Sequence, residues 1–202
     1  MSRYPTPGAT NRSIVRTTTV GLVAFAAIVG VLLFQSVFSF GDVLRGDRGD
    51  ATAEGGGALP EGVTVFDDRY PGIANLDPSL RQALSQAATD AAADGIVFNV
   101  NSGWRSRDYQ DQLLQEAVSK YGSESEAARW VATADTSPHV SGNAIDIGPF
   151  DATTWLSVRG YEYGLCPIYA NEPWHYELRA EAPEQGCPLQ YADPTQDPRM
   201  QP

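Results

Sequence analysis

The sequence has 202 residues, a formal net charge of −11 and an ordinary apolar content of 42%, which together predict one globular domain with short appendages. The acidic balance argues against nucleic-acid binding, because association with phosphates relies on lysine and arginine. No internal repeat is visible, and no protein partner is evident from the sequence.

The N-terminal part predicts a membrane anchor. Residues 1–16 are polar and carry Arg3, Arg12 and Arg16 without any acidic residue, whereas residues 17–40 carry no charge. An apolar stretch of this length can cross a hydrocarbon core of about 30 Å. Because the basic side precedes it, we expect a cytoplasmic N-terminus and an extracytoplasmic domain on a single-pass cell-membrane protein. A cleavable signal peptide is the alternative, but the stretch is long for one and no clear cleavage site follows.

Residues 41–61 are interpreted as a flexible linker, because they lack apolar periodicity and end in a glycine run. The RGD sequence at 48–50 is explained more simply by a solvated linker than by integrin binding. The folded domain is predicted over residues 62–192, and residues 193–202 are predicted to form a disordered tail.

The domain is predicted to begin with a helix followed by a strand. Asp77 is a candidate N-cap and Pro78 suits the first helical turn, while apolar residues at helical spacing follow and Gly95 closes the helix. A strand over 96–100 then leads to Arg105, which can reach into a cleft from the strand end.

Two further helices are predicted next. One opens at 106–107 and ends at Gly122, and a capping box at 123–126 starts the other. Ala127, Ala128, Trp130 and Val131 of that helix are expected to lie in the core rather than on a binding surface.

The remaining elements are a short helix over 151–160, a mixed aromatic stretch over 161–169 and a final strand over 172–178. This order predicts an α+β fold, a small single domain whose antiparallel sheet forms the floor of a cleft.

The chain contains only two histidines, His139 and His175, and each lies near a carboxylate, Asp146 or Glu172. Two imidazoles and one carboxylate are what a catalytic zinc site needs, with the fourth position left open. A further carboxylate would serve as general base. The alternative is a pair of core histidines bonded to backbone, with no metal. The HExxH motif is absent, which excludes a helix-borne site of that type.

A geometric condition applies to Glu172 and His175. On an extended strand their side chains would point to opposite faces, because side chains alternate. Both can reach one metal only if the chain bends between them, and Pro173 is a plausible cause of such a bend.

Three motifs carry a family resemblance. SPHVSGNAID at 137–146 resembles the SxHxxGxAxD motif of VanY-type D-alanyl-D-alanine carboxypeptidases, and EPWHYE at 172–177 resembles their ExxH motif. SGWRS at 102–106 is similar to their SGYRS, with Trp104 where tyrosine is commoner. These enzymes belong to the LAS zinc metallopeptidases, and the motifs frame residues 75–179 in the family's order.

The resemblance implies a role for each motif residue. Zn²⁺ would be held by His139, Asp146 and His175. Glu172 would act as general base, Arg105 would stabilise the oxyanion and Ser137 would contact substrate. Trp104 is expected to line the cleft, whereas Trp174 and Tyr176 are expected to pack beneath the metal loop.

The resemblance also implies the substrate, a peptidoglycan stem peptide ending in D-Ala-D-Ala, from which the terminal D-alanine is released outside the membrane. The same site could serve an L,D-carboxypeptidase, a D,D-dipeptidase or an endopeptidase, which differ in loops. From another class, a non-catalytic zinc-containing binding domain of hedgehog type is possible. Glu172 and Arg105 argue against it, because a structural zinc site needs neither.

The two cysteines, Cys166 and Cys187, flank the segment that carries His175. In a domain outside the membrane they are expected to form a disulfide that clamps this strand. Metal ligation is the alternative, but their spacing is not that of a CxxC pair.

Overall fold

The computed structural model of the protein describes residues 54–201. The predicted cytoplasmic segment 1–16 and membrane anchor 17–40 lie outside these residues. Within 54–201, no helix has both the length and the apolar character needed to cross a membrane. The described part is an α+β domain built around one antiparallel sheet, as the order of predicted elements indicated.

The sheet has four strands in the order β1-β2-β4-β3, and every neighbouring pair is antiparallel. The strands are β1 (Asn99–Ser102), β2 (Ala144–Gly148), β3 (Leu165–Pro167) and β4 (His175–Leu178). Across β2 and β4, Asp146 pairs with His175, and across β1 and β2 the same Asp146 pairs with Ser102. This register brings the three resemblance motifs together around Asp146.

The sheet is accompanied by the α-helices α1 (Pro71–Ala74), α2 (Pro78–Ala93), α3 (Arg107–Tyr121), α4 (Glu124–Ala127), α5 (Phe150–Arg159) and α6 (Ala182–Gln185). Short 3-10 turns cover Gly160–Tyr163, Pro194–Gln196 and Pro198–Met200. The predicted N-cap at Asp77 and the predicted start of a helix at 106–107 are confirmed. The Asp77 side chain accepts from two backbone N–H groups at the start of α2, and the Ser106 side chain accepts from one at the start of α3.

The main core lies between the sheet and helices α2 and α5. Leu80 and Leu84 of α2, Ile145 and Ile147 of β2 and Leu156 of α5 are all essentially inaccessible. Burying each such side chain stabilises the fold by about 1.5–3 kcal/mol. Packing of Ile145 and Ile147 in this core therefore holds strand β2, which carries Asp146, in place.

The expectation that Trp130 and Val131 lie in the core is wrong. Helix α4 ends at Ala127, so the apolar residues after it leave the helical face that would have buried them. Trp130 is 37% exposed and stacks on Tyr121 at 5.8 Å between ring centroids. Both Trp130 and Val131 line a cavity that is described below.

The C-terminal end of the predicted linker 41–61 differs from the prediction. Gly56 and Gly57 are buried, the Ser106 N–H donates to the Gly56 carbonyl at 2.8 Å, and Leu59 packs against the core. The glycine run permits this packing, because a residue without Cβ allows the backbone to lie directly against the Trp104 carbonyl. The end of this segment has the composition of a flexible linker, but it packs closely against the domain.

Replacing Gly57 with alanine is expected to lower the free energy of unfolding by about 1–3 kcal/mol, the usual cost of a strained backbone conformation. Its φ is +104°, and an added Cβ would lie 2.1 Å from the Trp104 carbonyl oxygen. Denaturant unfolding measures the change. Gly55→Ala is the matched control, because nothing lies within 4 Å of a Cβ there. Equal stability of the two variants would contradict the packing of the glycine run.

The predicted disordered tail 193–202 also differs from the structure, which describes it through Gln201. Asp193 and Asp197 are buried, Arg129 donates to Asp193 at 3.1 Å, and Arg199 forms ion pairs with Glu177. The polar, proline-rich composition suggested disorder, but these charges have partners elsewhere in the fold that a linear pattern does not reveal.

Candidate zinc site

Three buried side chains converge from three parts of the chain. Asp146 projects from β2, His175 begins β4, and His139 lies in the turn that precedes β2. The His139 Nε2 lies 3.2 Å from the His175 Nδ1, which lies 3.2 Å from the Asp146 Oδ1. The third side of the triangle, from His139 Nε2 to Asp146 Oδ1, is 3.4 Å. These are the only three histidine, cysteine or acidic residues grouped in this way within the described residues.

The geometry of this triangle fits zinc. Nitrogen and oxygen ligands lie about 2.0–2.1 Å from Zn²⁺ in tetrahedral sites, which places neighbouring ligand atoms about 3.3 Å apart. The observed separations of 3.2–3.4 Å have this size.

The other nitrogen of each imidazole is bonded to an acceptor, and this bond orients the ring. His139 Nδ1 donates to the Gly103 carbonyl at 2.8 Å, and His175 Nε2 lies 3.4 Å from the Glu177 Oε1. Such bonds fix the tautomer, so that the remaining nitrogen can present its lone pair to a metal. Glu177 therefore supports the site although sequence reasoning gave it no role. Its position two residues after His175, on the same face of a strand, was the available signal.

Burial and neighbouring charges shift the pKa of each side chain of the triangle. Burial raises the pKa of Asp146, but His139, His175 and Arg105 outweigh it and hold this pKa well below its usual range. Burial and Arg105 lower the pKa of His139. Despite burial, Asp146 and Glu177 raise the pKa of His175 to about 9. These shifts favour a charged Asp146 and a neutral His139, the forms that bind a metal. Zinc binding would release a proton from His175.

Glu172 lies beside the triangle. It is 7% exposed, its Oε2 lies 3.8 Å from the His175 Nδ1, and its Oε1 has no hydrogen-bond partner among residues 54–201. The required bend is present: the His175 N–H donates to the Glu172 carbonyl at 3.0 Å, so the strand begins only at His175. Burial raises the pKa of Glu172 to about 7, which suits a group that accepts and returns a proton near neutrality.

Arg105 follows β1 and is held by three acceptors. Its guanidinium donates to the Ser102 hydroxyl at 2.8 Å, to the Gln110 side chain at 3.1 Å and to Asp146 Oδ2 at 3.0 Å. Gln110 is only 1% exposed and is anchored in turn to the Ala132 carbonyl. Sequence reasoning missed Gln110, since a glutamine on a helix surface is ordinarily solvated.

A cavity of about 270 Å³ opens onto these side chains. Its walls include His139, Asp146, His175, Glu172, Arg105 and Gln110, and also Ser137, Trp130, Tyr169, Trp174 and Met200. Ser137, for which the resemblance implies a substrate contact, thus lies in the wall of this cavity. A larger cavity of about 730 Å³ shares Val131, Ala132, Pro194 and Met200 with it, but none of the three residues of the triangle lines that cavity.

Two tryptophan expectations are wrong. Trp104 is not among the cavity walls, because its backbone N–H is tied to the Gly72 carbonyl at 2.8 Å and the chain packs against Gly57 there. Trp174, expected beneath the metal loop, is 38% exposed and lines the cavity, because the bend before β4 turns it outward. Tyr176 is buried in the main core, and its hydroxyl donates to the Thr153 carbonyl.

Cys166 and Cys187 form the expected disulfide across a separation of 21 residues. Cys166 lies on β3, directly opposite Glu177 of β4. The bridge thus closes a loop that contains the whole segment from β3 to α6, including Glu172 and His175.

The comparisons with known proteins agree with the geometry. A family model described as VanY, D-alanyl-D-alanine carboxypeptidase, matches residues 74–181, more than half of the chain. A D-alanyl-D-alanine carboxypeptidase from Enterococcus faecalis is 32% identical over 126 residues, covering 50% of this chain and 47% of the relative. The chain thus spans about half the length of that relative.

Two solved structures are similar to the domain at a TM-score of 0.51. One is the vancomycin resistance D,D-pentapeptidase VanY from a VanB-type resistance cassette in complex with Zn(II), at 26% identity, covering 55% of this chain and 80% of that chain. The other is VanYB in complex with D-alanine-D-alanine, at 27% identity, covering 55% and 78%. With the family match and a buried triangle of zinc-compatible donors, the chain belongs to the VanY family of D-alanyl-D-alanine carboxypeptidases, which are zinc metallopeptidases.

Proposed function

We propose that the protein is a membrane-anchored zinc D,D-carboxypeptidase that hydrolyses the terminal D-Ala-D-Ala bond of peptidoglycan stem peptides. One observation carries the proposal: three metal-ligand atoms, a buried carboxylate without a hydrogen-bond partner in the described residues and a fixed guanidinium all face one cavity. His139, Asp146 and His175 would hold Zn²⁺, which would supply Lewis acidity that polarises a carbonyl group and makes water more acidic.

Glu172 acts as the general base in this proposal. It takes the proton from the water that attacks the scissile carbonyl carbon, and it then donates that proton to the departing amine of D-alanine. Glu172 lines the cavity, and its Oε1 has no hydrogen-bond partner among the described residues. A base of this type contributes about 10²–10⁴-fold to the rate.

Arg105 stabilises the negative charge that develops on the carbonyl oxygen. Its guanidinium is held in place before substrate arrives, so it need not reorganise during the reaction. The bond to Asp146 also links this charge to the metal ligands.

Replacing Arg105 with lysine is expected to lower kcat by about 10²–10³-fold, the usual loss when one oxyanion donor is removed. Lysine keeps the positive charge but cannot bind Ser102, Gln110 and Asp146 together in a planar fork. Steady-state kinetics with a pentapeptide measures the change, and zinc content is expected to be retained. Arg81→Lys, on the outer part of α2, is the control. Wild-type kcat in Arg105→Lys would remove Arg105 from the mechanism.

The substrate assignment is supported by VanYB, a relative of 27% identity whose structure was solved with D-alanine-D-alanine. Trp130 and Trp174 give the cavity apolar walls, which suit the methyl groups of alanine. L,D-carboxypeptidase, D,D-dipeptidase and endopeptidase activities are the alternatives within the same chemistry. A non-catalytic binding domain is the alternative from another class, and it leaves Glu172 and Arg105 without a purpose.

A panel of substrates distinguishes these activities. The protein is incubated separately with a stem pentapeptide ending in D-Ala-D-Ala, with the corresponding tetrapeptide, with free D-Ala-D-Ala and with a cross-linked dimer, and products are identified by mass spectrometry. Loss of one alanine from the pentapeptide alone supports the proposal. Preferred cleavage of the tetrapeptide, the free dipeptide or the cross-link would replace it with the corresponding alternative, and binding without cleavage would favour the non-catalytic one.

The location is part of the proposal: residues 17–40 anchor the protein in the cell membrane, and the catalytic domain lies outside the cytoplasm. The disulfide between Cys166 and Cys187 supports this location, because such bonds persist in oxidising compartments. Protease treatment of intact cells is expected to digest the domain. Complete protection in intact cells, with digestion after lysis, would place the domain inside.

A further inference from the structure

The C-terminal segment, Asp193–Gln201, is connected to a zinc ligand by a chain of ion pairs. Arg199 binds both oxygens of Glu177 through its two terminal nitrogens, at 2.7 Å and 3.1 Å. Glu177 is 2% exposed, and its Oε1 in turn lies 3.4 Å from the His175 Nε2. The guanidinium is therefore one residue removed from a side chain that faces the metal.

A second connection runs through packing. The Asp197 side chain is fully buried, accepts from the Tyr169 hydroxyl at 2.9 Å and also binds Arg199. The Tyr169 ring packs against the His175 ring at 5.1 Å between centroids. The same short segment thus restrains His175 through its ring face and through its distal nitrogen.

Arg179 is the competing partner of Glu177, but it cannot replace Arg199. Of the two Glu177 oxygens, Arg179 donates only to Oε2, at 2.9 Å, and its other terminal nitrogen donates to the Leu178 carbonyl. The other oxygen, Oε1, is the one that faces His175, and of the two arginines only Arg199 holds it. Arg199 therefore fixes the orientation of the carboxylate that fixes the imidazole.

We propose that Arg199 is a positioning residue that sets zinc affinity through Glu177 and His175, so that the C-terminal segment completes the metal site. This segment lies beyond residues 74–181, the part that matches the family model. The inference rests on the proposed zinc site. A group that orients a metal-bound histidine strengthens its ligation, and losing such a group typically weakens metal binding about 10- to 100-fold.

The test measures zinc affinity of the purified full chain by competition with a chromogenic chelator. Arg199→Ala is expected to weaken zinc binding about 10- to 100-fold. Arg199→Lys is expected to lie between wild type and Arg199→Ala, because a point charge cannot hold both carboxylate oxygens as a guanidinium does. Arg159→Ala is the matched control. It removes an arginine with two acidic partners, Asp94 and Glu162, that have no connection to His175.

Thermal melting of the zinc-free variants separates positioning from general stability. A purely structural role predicts a lower melting temperature with unchanged affinity in the folded protein, and that result overturns the proposal. If Arg199→Ala does not fold, Arg199→Lys decides, since wild-type affinity in that variant overturns the proposal equally. Failure of the wild type to bind zinc overturns the metal site itself, which distinguishes the two claims.

Discussion

Replacing Glu172 with glutamine is expected to lower kcat by about 10²–10⁴-fold while the bound zinc remains. The amide has nearly the same shape as the carboxylate but cannot accept a proton at neutral pH. Glu172 is not one of the three residues of the donor triangle, so its loss leaves the ligand set intact. The measurement combines steady-state kinetics on a D-Ala-D-Ala pentapeptide with metal analysis of the same sample.

Glu184→Gln is the matched control for this experiment, because Glu184 lies exposed on the short helix α6. It is expected to keep wild-type kinetics. A further consequence concerns stability. Burial without a hydrogen-bond partner disfavours the charged Glu172, so the neutral glutamine is expected to leave unfolding unchanged or to stabilise the protein slightly. Wild-type turnover in Glu172→Gln would show that another group accepts the proton.

Replacing Asp146 with asparagine is expected to abolish zinc binding at ordinary metal concentrations and activity with it. The change removes the only anionic donor of the triangle. It also removes the charge that pairs with Arg105 at 3.0 Å, inside a site where both side chains are largely buried. Breaking a buried pair in this way typically costs about 3–5 kcal/mol, so the variant is expected to be destabilised as well.

Because the expected loss of stability complicates the reading, zinc affinity is compared well below the melting temperature, and circular dichroism verifies the fold. Asp94→Asn serves as the matched control, since Asp94 pairs with Arg159 at an exposed position. A folded Asp146→Asn protein that binds zinc as tightly as wild type would exclude Asp146 as a ligand.

The site was predictable because its residues lie in short, ordered motifs. His139 and Asp146 share one motif, and Glu172 and His175 share another. The antiparallel pairing of β2 with β4 converts this linear order into a triangle. The bend at Pro173 was also predictable, because an alternating strand could not bring Glu172 and His175 to one metal.

The supporting residues were not predictable in the same way. Gln110 is anchored by Ala132 and Arg199 binds Glu177, and in each case the two partners are 22 residues apart with no local pattern to link them. The glycine run at 56–57 and the tail from Asp193 were interpreted from composition as flexible. Composition does not show that a missing Cβ is needed for close packing, or that a charge has a buried partner elsewhere.

Release of free D-alanine from a pentapeptide ending in D-Ala-D-Ala, measured before and after removal of zinc, tests the central claim most directly. We expect release by the purified protein, loss of release after chelation and recovery when zinc is returned in a ratio of about one ion per chain. Release that persists in fully zinc-depleted protein, or no release by a protein that carries a full complement of zinc, would contradict it.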